Sequence, residues 1–139
     1  MNRHRLFRYA SAALALSAPL AADELTGAQF FMCSAWHASV CTAEGTCDST
    51  EAWRLNMPDF LQVDLRGKLM KTPAASDQPR ESPIANVVRE ASKIFLSGHQ
   101  ETRGWTWIIN ETSGEGVLAL VSENSSVTLF TVCTATDAS

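Results

Sequence analysis

Four cysteines place the tightest constraint on this chain: Cys33, Cys41 and Cys47 lie together towards one end and Cys133 lies near the other. An even set of thiols delivered to an oxidising compartment pairs into disulfides, and four cysteines allow three pairings. The favoured one joins Cys41 to Cys47 across the short polar loop Thr42-Ala43-Glu44-Gly45-Thr46 and Cys33 to Cys133. The second bridge closes a loop of roughly 100 residues, for which chain entropy gives about 4.7 kcal/mol as an upper guide, so its loss should hurt far more than loss of the local one. A chain stapled in this way must bring its first strand against its last.

The oxidising compartment is itself an expectation from the N-terminus. Asn2-Arg3-His4-Arg5-Leu6-Phe7-Arg8 is basic, Tyr9 to Leu20 is short and largely apolar, and Ala21-Ala22 are small. This is the pattern of a secretory signal peptide, residues 1–22, cleaved after Ala21 or Ala22. The apolar stretch is shorter than the ~20 residues of a membrane span. Polar Asp23-Glu24 follow it at once. Residues 23–139 are therefore expected to form one small exported domain, periplasmic or secreted, that does not span a membrane after cleavage. At 45% hydrophobic and 19% charged, with a mean hydropathy of -0.05, the composition is that of a folded globular chain. Cleavage would remove Arg3, Arg5 and Arg8 from 11 basic residues, leaving eight against 15 acidic ones and a formal charge of -7. With no cluster of positive charge to neutralise phosphates, nucleic acid and anionic lipid are not the expected partners.

Beyond residue 23 the hydrophobic pattern is mostly that of strands. Gly27 to Val40 reads as a first strand with Phe31, Cys33 and Ala35 on one face and Phe30, Met32 and Trp36 on the other, both faces mostly buried. Trp53 to Met57 alternates until Pro58-Asp59, and Phe60 to Leu65 alternates with Leu61, Val63 and Leu65 inward, turning at Gly67 into Lys68 to Lys71. Thr72 to Pro83, with three prolines and no apolar pattern, reads as a surface loop. Pro83 to Ala91 fits a short helix or a strand, and its surroundings favour the strand. Lys93 to Ser97, Gly104 to Asn110, Gly116 to Ser122 and Ser126 to Thr134 form a meander with short connections, which implies antiparallel neighbours. The expected fold is all-β, a disulfide-stapled antiparallel barrel or two-layer sandwich of about eight strands.

Candidate sites are few. Trp105 and Trp107 share one face of a strand with Ile109, which makes them core residues or, at a barrel mouth, a stacking wall for a flat ligand. His99, Glu101 and Arg103, in the connection just before them, would supply polar contacts. Cys33, His37, Cys41 and Cys47 offer three thiolates and an imidazole to a soft metal, a spacing unlike paired zinc knuckles. A small hydrolase would need His37 or His99 beside a serine or carboxylate, or a pair drawn from Asp48, Glu51, Asp59 and Asp64. The chain carries no G-x-S-x-G elbow, Walker loop, dinucleotide fingerprint, H-E-x-x-H or EF-hand pattern. The leading expectation is thus a non-enzymatic exported β-domain, without cofactor, that binds a small ligand or an envelope component. The metal carrier and the hydrolase are the alternatives.

The basic leader, the cluster Cys33, Cys41, Cys47, the strand Arg103-Gly104-Trp105-Thr106-Trp107 and the terminal Phe130-Thr131-Val132-Cys133-Thr134 resemble the small exported cysteine-containing β proteins of proteobacteria that have no assigned function. Those proteins often carry a small residue before the last cysteine, and Val132 departs from that. The resemblance implies a periplasmic setting and transfers no catalytic residue.

Overall fold

The computed structural model describes residues 24–77 and 79–137, so the leader expected over 1–22 lies outside the described residues. Ten strands form one antiparallel sheet: β1 (Phe30–Thr42), β2 (Cys47–Thr50), β3 (Phe60–Asp64), β4 (Leu69–Lys71), β5 (Glu81–Pro83), β6 (Asn86–Glu90), β7 (Lys93–Gln100), β8 (Arg103–Asn110), β9 (Glu115–Val121) and β10 (Ser125–Ala135). Their order is β5-β4-β3-β1-β10-β9-β8-β7-β6, with β2 added on β1. The sheet curls into a half-barrel.

Only Ile84 and Ala85 separate β5 from β6, yet these strands lie at opposite edges of the sheet. The Ile84 N–H donates to the Lys68 carbonyl at 2.9 Å, and the next one, from Ala85, donates to Ser97 on β7 at 2.8 Å. Residues 81–90 thus act as one bent strand whose first half pairs with β4 and whose second half pairs with β7. Counted so, and with β2 set aside as a local extension, the fold is an eight-membered up-and-down meander in which β1 meets β10. The all-β, barrel-like expectation holds in this form; a single continuous sheet replaces the two-layer sandwich.

Both disulfides join residues directly opposite one another: Cys33 and Cys133 on β1 and β10, and Cys41 and Cys47 on β1 and β2. Cys33 and Cys133 are buried in the core with Phe31, Val63, Leu118 and Leu129. At the tip of the second loop a hydrogen bond from the Thr42 side chain, then one from the loop's own backbone, holds the Glu44 carboxyl below its ordinary range.

Several sequence expectations are corrected. β1 does not bury both faces. A bulge between Ala35, opposite Thr131, and His37, opposite Phe130, leaves Trp36 as the extra residue. The inward series Phe31, Cys33 resumes at Ala38 instead of His37, and Trp36 is turned out to 65% exposure. The segment expected as a strand over Trp53 to Met57 is a 3₁₀ turn at Ala52–Leu55 with Trp53 exposed. Asn56 ends it in the left-handed region at φ 53° with its N–H on the Trp53 carbonyl, and Glu51 pairs with Arg54 at 3.0 Å across it. The loop expected over Thr72 to Pro83 is shorter, because Glu81–Pro83 joins the sheet as β5 and Ser82 is buried. Its base is pinched where the Arg80 N–H donates to the Thr72 hydroxyl at 2.9 Å. Residues 86–90 are a strand, as favoured over a helix. Finally, 98–103 is no loop: β7 and β8 run on until only Glu101 and Thr102 turn between Gln100 and Arg103.

The end of the barrel opposite this turn is plugged from the N-terminal side. Leu25 is wholly buried and its N–H donates to the Glu111 carbonyl at 2.7 Å. Arg89 ties the plug down, pairing with the Glu111 carboxylate at 2.8 Å and donating to the Ala28 carbonyl.

Candidate functional site at the barrel mouth

Alternation along β8 sends Trp105, Trp107 and Ile109 inward and Thr106, Ile108 and Asn110 outward. The two indoles occupy different depths. Trp107 is completely buried, and its Nε1 donates to the Thr131 hydroxyl at 3.0 Å. Gly116 makes room for that pair, since a Cβ there would stand 3.0 Å from both the indole nitrogen and the Thr131 oxygen. Trp105 sits one layer higher, 6% exposed, with Nε1 donating to Ser82 Oγ at 3.1 Å. Gly98 opens the space it needs: a Cβ there would come within 2.5 Å of the Trp105 ring and 2.6 Å of the Pro83 carbonyl. With each N–H satisfied, both rings are fixed in orientation.

Above Trp105 the interior is open. A cavity of about 490 Å³ is walled by Trp105, Leu61, Met70, Leu118 and Leu120. Leu55, Asn56, Met57 and Pro58 cover one side of its opening, and Arg80, Glu81, Gln100, Glu101 and Arg103 form the other rim. Gln100 is held in place by donating to the Glu81 carbonyl at 3.1 Å. This size and this mixture of apolar walls with a few polar rim groups are those of a small-molecule site. Below it, around Cys33, Trp107 and Leu129, the free space falls to about 10 Å³, too little for more than a water.

Of the residues singled out by sequence, Trp105, Arg103 and Glu101 therefore meet at the cavity, while Trp107 lies beneath it in the filled core. His99 does not join them. Ile94, Leu96 and Gly98 point inward on β7, so the period of two sets His99 on the outer face. Leu118 and Leu120 were within reach of sequence reasoning through alternation on β9. The covering residues 55–58 and Ser82 were not, because nothing in the local pattern says that a 3₁₀ turn and a proline-bounded strand meet over the mouth.

The remaining candidates are dispersed. All four sulfurs are bridged, so the set Cys33, His37, Cys41 and Cys47 offers no thiolate, and among the described residues no three His, Cys, Asp or Glu side chains gather as metal ligands. The His37 ring packs on Trp36 and Phe130, at centroid distances of 5.6 and 6.0 Å. Among the described residues neither His37 nor His99 forms a hydrogen bond or ion pair with a serine or carboxylate. Asp64 caps the turn that follows β3 by accepting the Gly67 N–H at 2.8 Å, and Glu51 holds Arg54.

No family model matches the chain, and no curated protein matches its sequence.

Proposed function

We propose that this protein is a non-enzymatic binding domain that takes a small molecule with an apolar or flat aromatic body into the barrel mouth, and that it works outside the cytoplasm. The open apolar space of about 490 Å³ above Trp105 carries the reading. Apolar walls bury the body of the ligand and supply affinity, at roughly 25 cal/mol for each Å² removed from water. The rim presents both signs of charge, Arg80 and Arg103 with Glu81 and Glu101, so it orients a polar end without selecting a net charge. Export is supported by the basic and apolar leader in the sequence together with the two disulfides.

The test uses the apolar fluorophore N-phenyl-1-naphthylamine with the folded, oxidised protein. Saturable binding is expected, accompanied by a change in tryptophan emission that is lost in Trp105→Phe, and abolished in Leu120→Trp, whose larger ring fills the mouth. Binding that persists in that variant while its melting temperature is unchanged, or no binding at all, would remove the mouth as a site.

A further inference from the structure

The outer face of the sheet carries an ordered apolar stripe. The pairing registers place Val88, Phe95, Ile108, Val117, Phe130 and His37 side by side on six successive strands, β6 to β10 and β1. None of them is buried, Ile108 at its centre is 43% exposed, and the bulged Trp36 packs on the Phe130 ring at 6.0 Å. Soluble barrels ordinarily place polar side chains at such positions, and a contiguous apolar band marks a contact surface.

We propose that the stripe is the contact of a symmetric dimer, in which a second copy docks about a two-fold axis running parallel to β8 and passing over Ile108. The charges beside the stripe argue for this occupant. Two residues along from Phe95, Ile108 and Val117, on the same face, stand Lys93 on β7, Asn110 on β8 and Glu115 on β9. Lys93 and Glu115 are both exposed and sit at equal distance in strands on either side of β8, with opposite charge. A two-fold axis along β8 exchanges β7 with β9, so Lys93 of each copy meets Glu115 of the other. The same operation sets Phe95 against Val117 and Ile108 against itself. An isologous contact requires such self-complementarity, and a patch evolved for an unrelated partner does not. On the other side of the stripe Ser97, Thr106 and Ala119 are small, which lets the two convex sheets approach. Curvature confines the contact to the central strands and makes the dimer a dissociable one.

Sedimentation equilibrium of the full oxidised protein across the micromolar range tests the proposal. A concentration-dependent mass between monomer and dimer is expected, and Ile108→Lys, which sets like charges face to face on the axis, is expected to stay monomeric. Lys93→Glu and Glu115→Lys should each weaken the dimer about tenfold. The double variant should return to within about threefold of the parent, because the reversed charges again meet their opposites. All three positions are exposed, so the fold is not at risk. A parent that is monomeric throughout overturns the proposal, including one that instead sediments with phosphatidylcholine vesicles. A dimer in which the two reversals do not rescue each other overturns it as well.

Discussion

Trp107 and Thr131 form a matched polar pair within an apolar interior. Both are buried, so removing one partner leaves the other unsatisfied. Thr131→Val, close in shape, is expected to cost about 1–3 kcal/mol by stranding the indole N–H. The double variant Trp107→Phe, Thr131→Val should be more stable than the sum of the single losses predicts, by ~0.5–3 kcal/mol, as read in urea denaturation. Gly116→Ala presses on the same pair and should also destabilise. At this scale the inward face of β8 was legible, since Trp105, Trp107 and Ile109 follow the simple period of a strand. The exposure of Trp36 and the outward turn of His37 were not legible: one bulge inverts the parity of everything after it, and no local residue type announces where it falls. His99 and Arg103 also went to opposite faces once their presumed loop proved to be strand.

Among elements, the two cross-strand bridges differ in what they restrain. Cys33–Cys133 joins residues 100 apart in sequence and Cys41–Cys47 residues 6 apart. Replacing the first pair by alanines is expected to remove up to about 4.7 kcal/mol and a further amount for the buried sulfurs, and replacing the second less than about 3 kcal/mol. Urea midpoints of the two double variants give the ranking directly, and equal losses would show that chain entropy is not what the long bridge supplies. The pairing is the one that spacing favoured among the three that four cysteines allow, and spacing alone did not exclude the other two. The element that could not was the 3₁₀ turn at Ala52–Leu55: Trp53, Leu55 and Met57 alternate as a strand would, but Pro58 and the Glu51–Arg54 pair favour a compact turn. β5 was missed because it is three residues long and borrows its order from β4.

For the whole molecule, the meander of neighbours was evident in the short connections, while the meeting of β1 with β10 followed only from the Cys33–Cys133 bridge, because alternation assigns faces and says nothing of which edges meet. The plug at Leu25 matters at this scale. If processing follows Ala21 or Ala22, the mature chain keeps Leu25 two or three residues from its new end. Intact mass should then show a chain beginning at Ala22 or Asp23 and four hydrogens lighter than its reduced form. Leu25→Ala empties a fully buried position and is expected to cost about 2–5 kcal/mol, measured by thermal or urea unfolding.

The route by which residues 81–90 pass from one edge of the sheet to the other has a kinetic consequence. With β2 set aside, it makes every ladder but one a pairing of successive strands; the exception is β1 with β10, the first and last of these strands in the chain. Nucleation can therefore proceed hairpin by hairpin at little loop-closure cost, and the sheet is finished only when its trailing strand arrives. Until then β1 is an unpaired edge on one side and Cys33 waits as a thiol. Where the short hairpin of Cys41 and Cys47 closes first and consumes its own two sulfurs, Cys33 has a single partner left when Cys133 arrives. Local closure of the one bridge thereby favours the native pairing of the other.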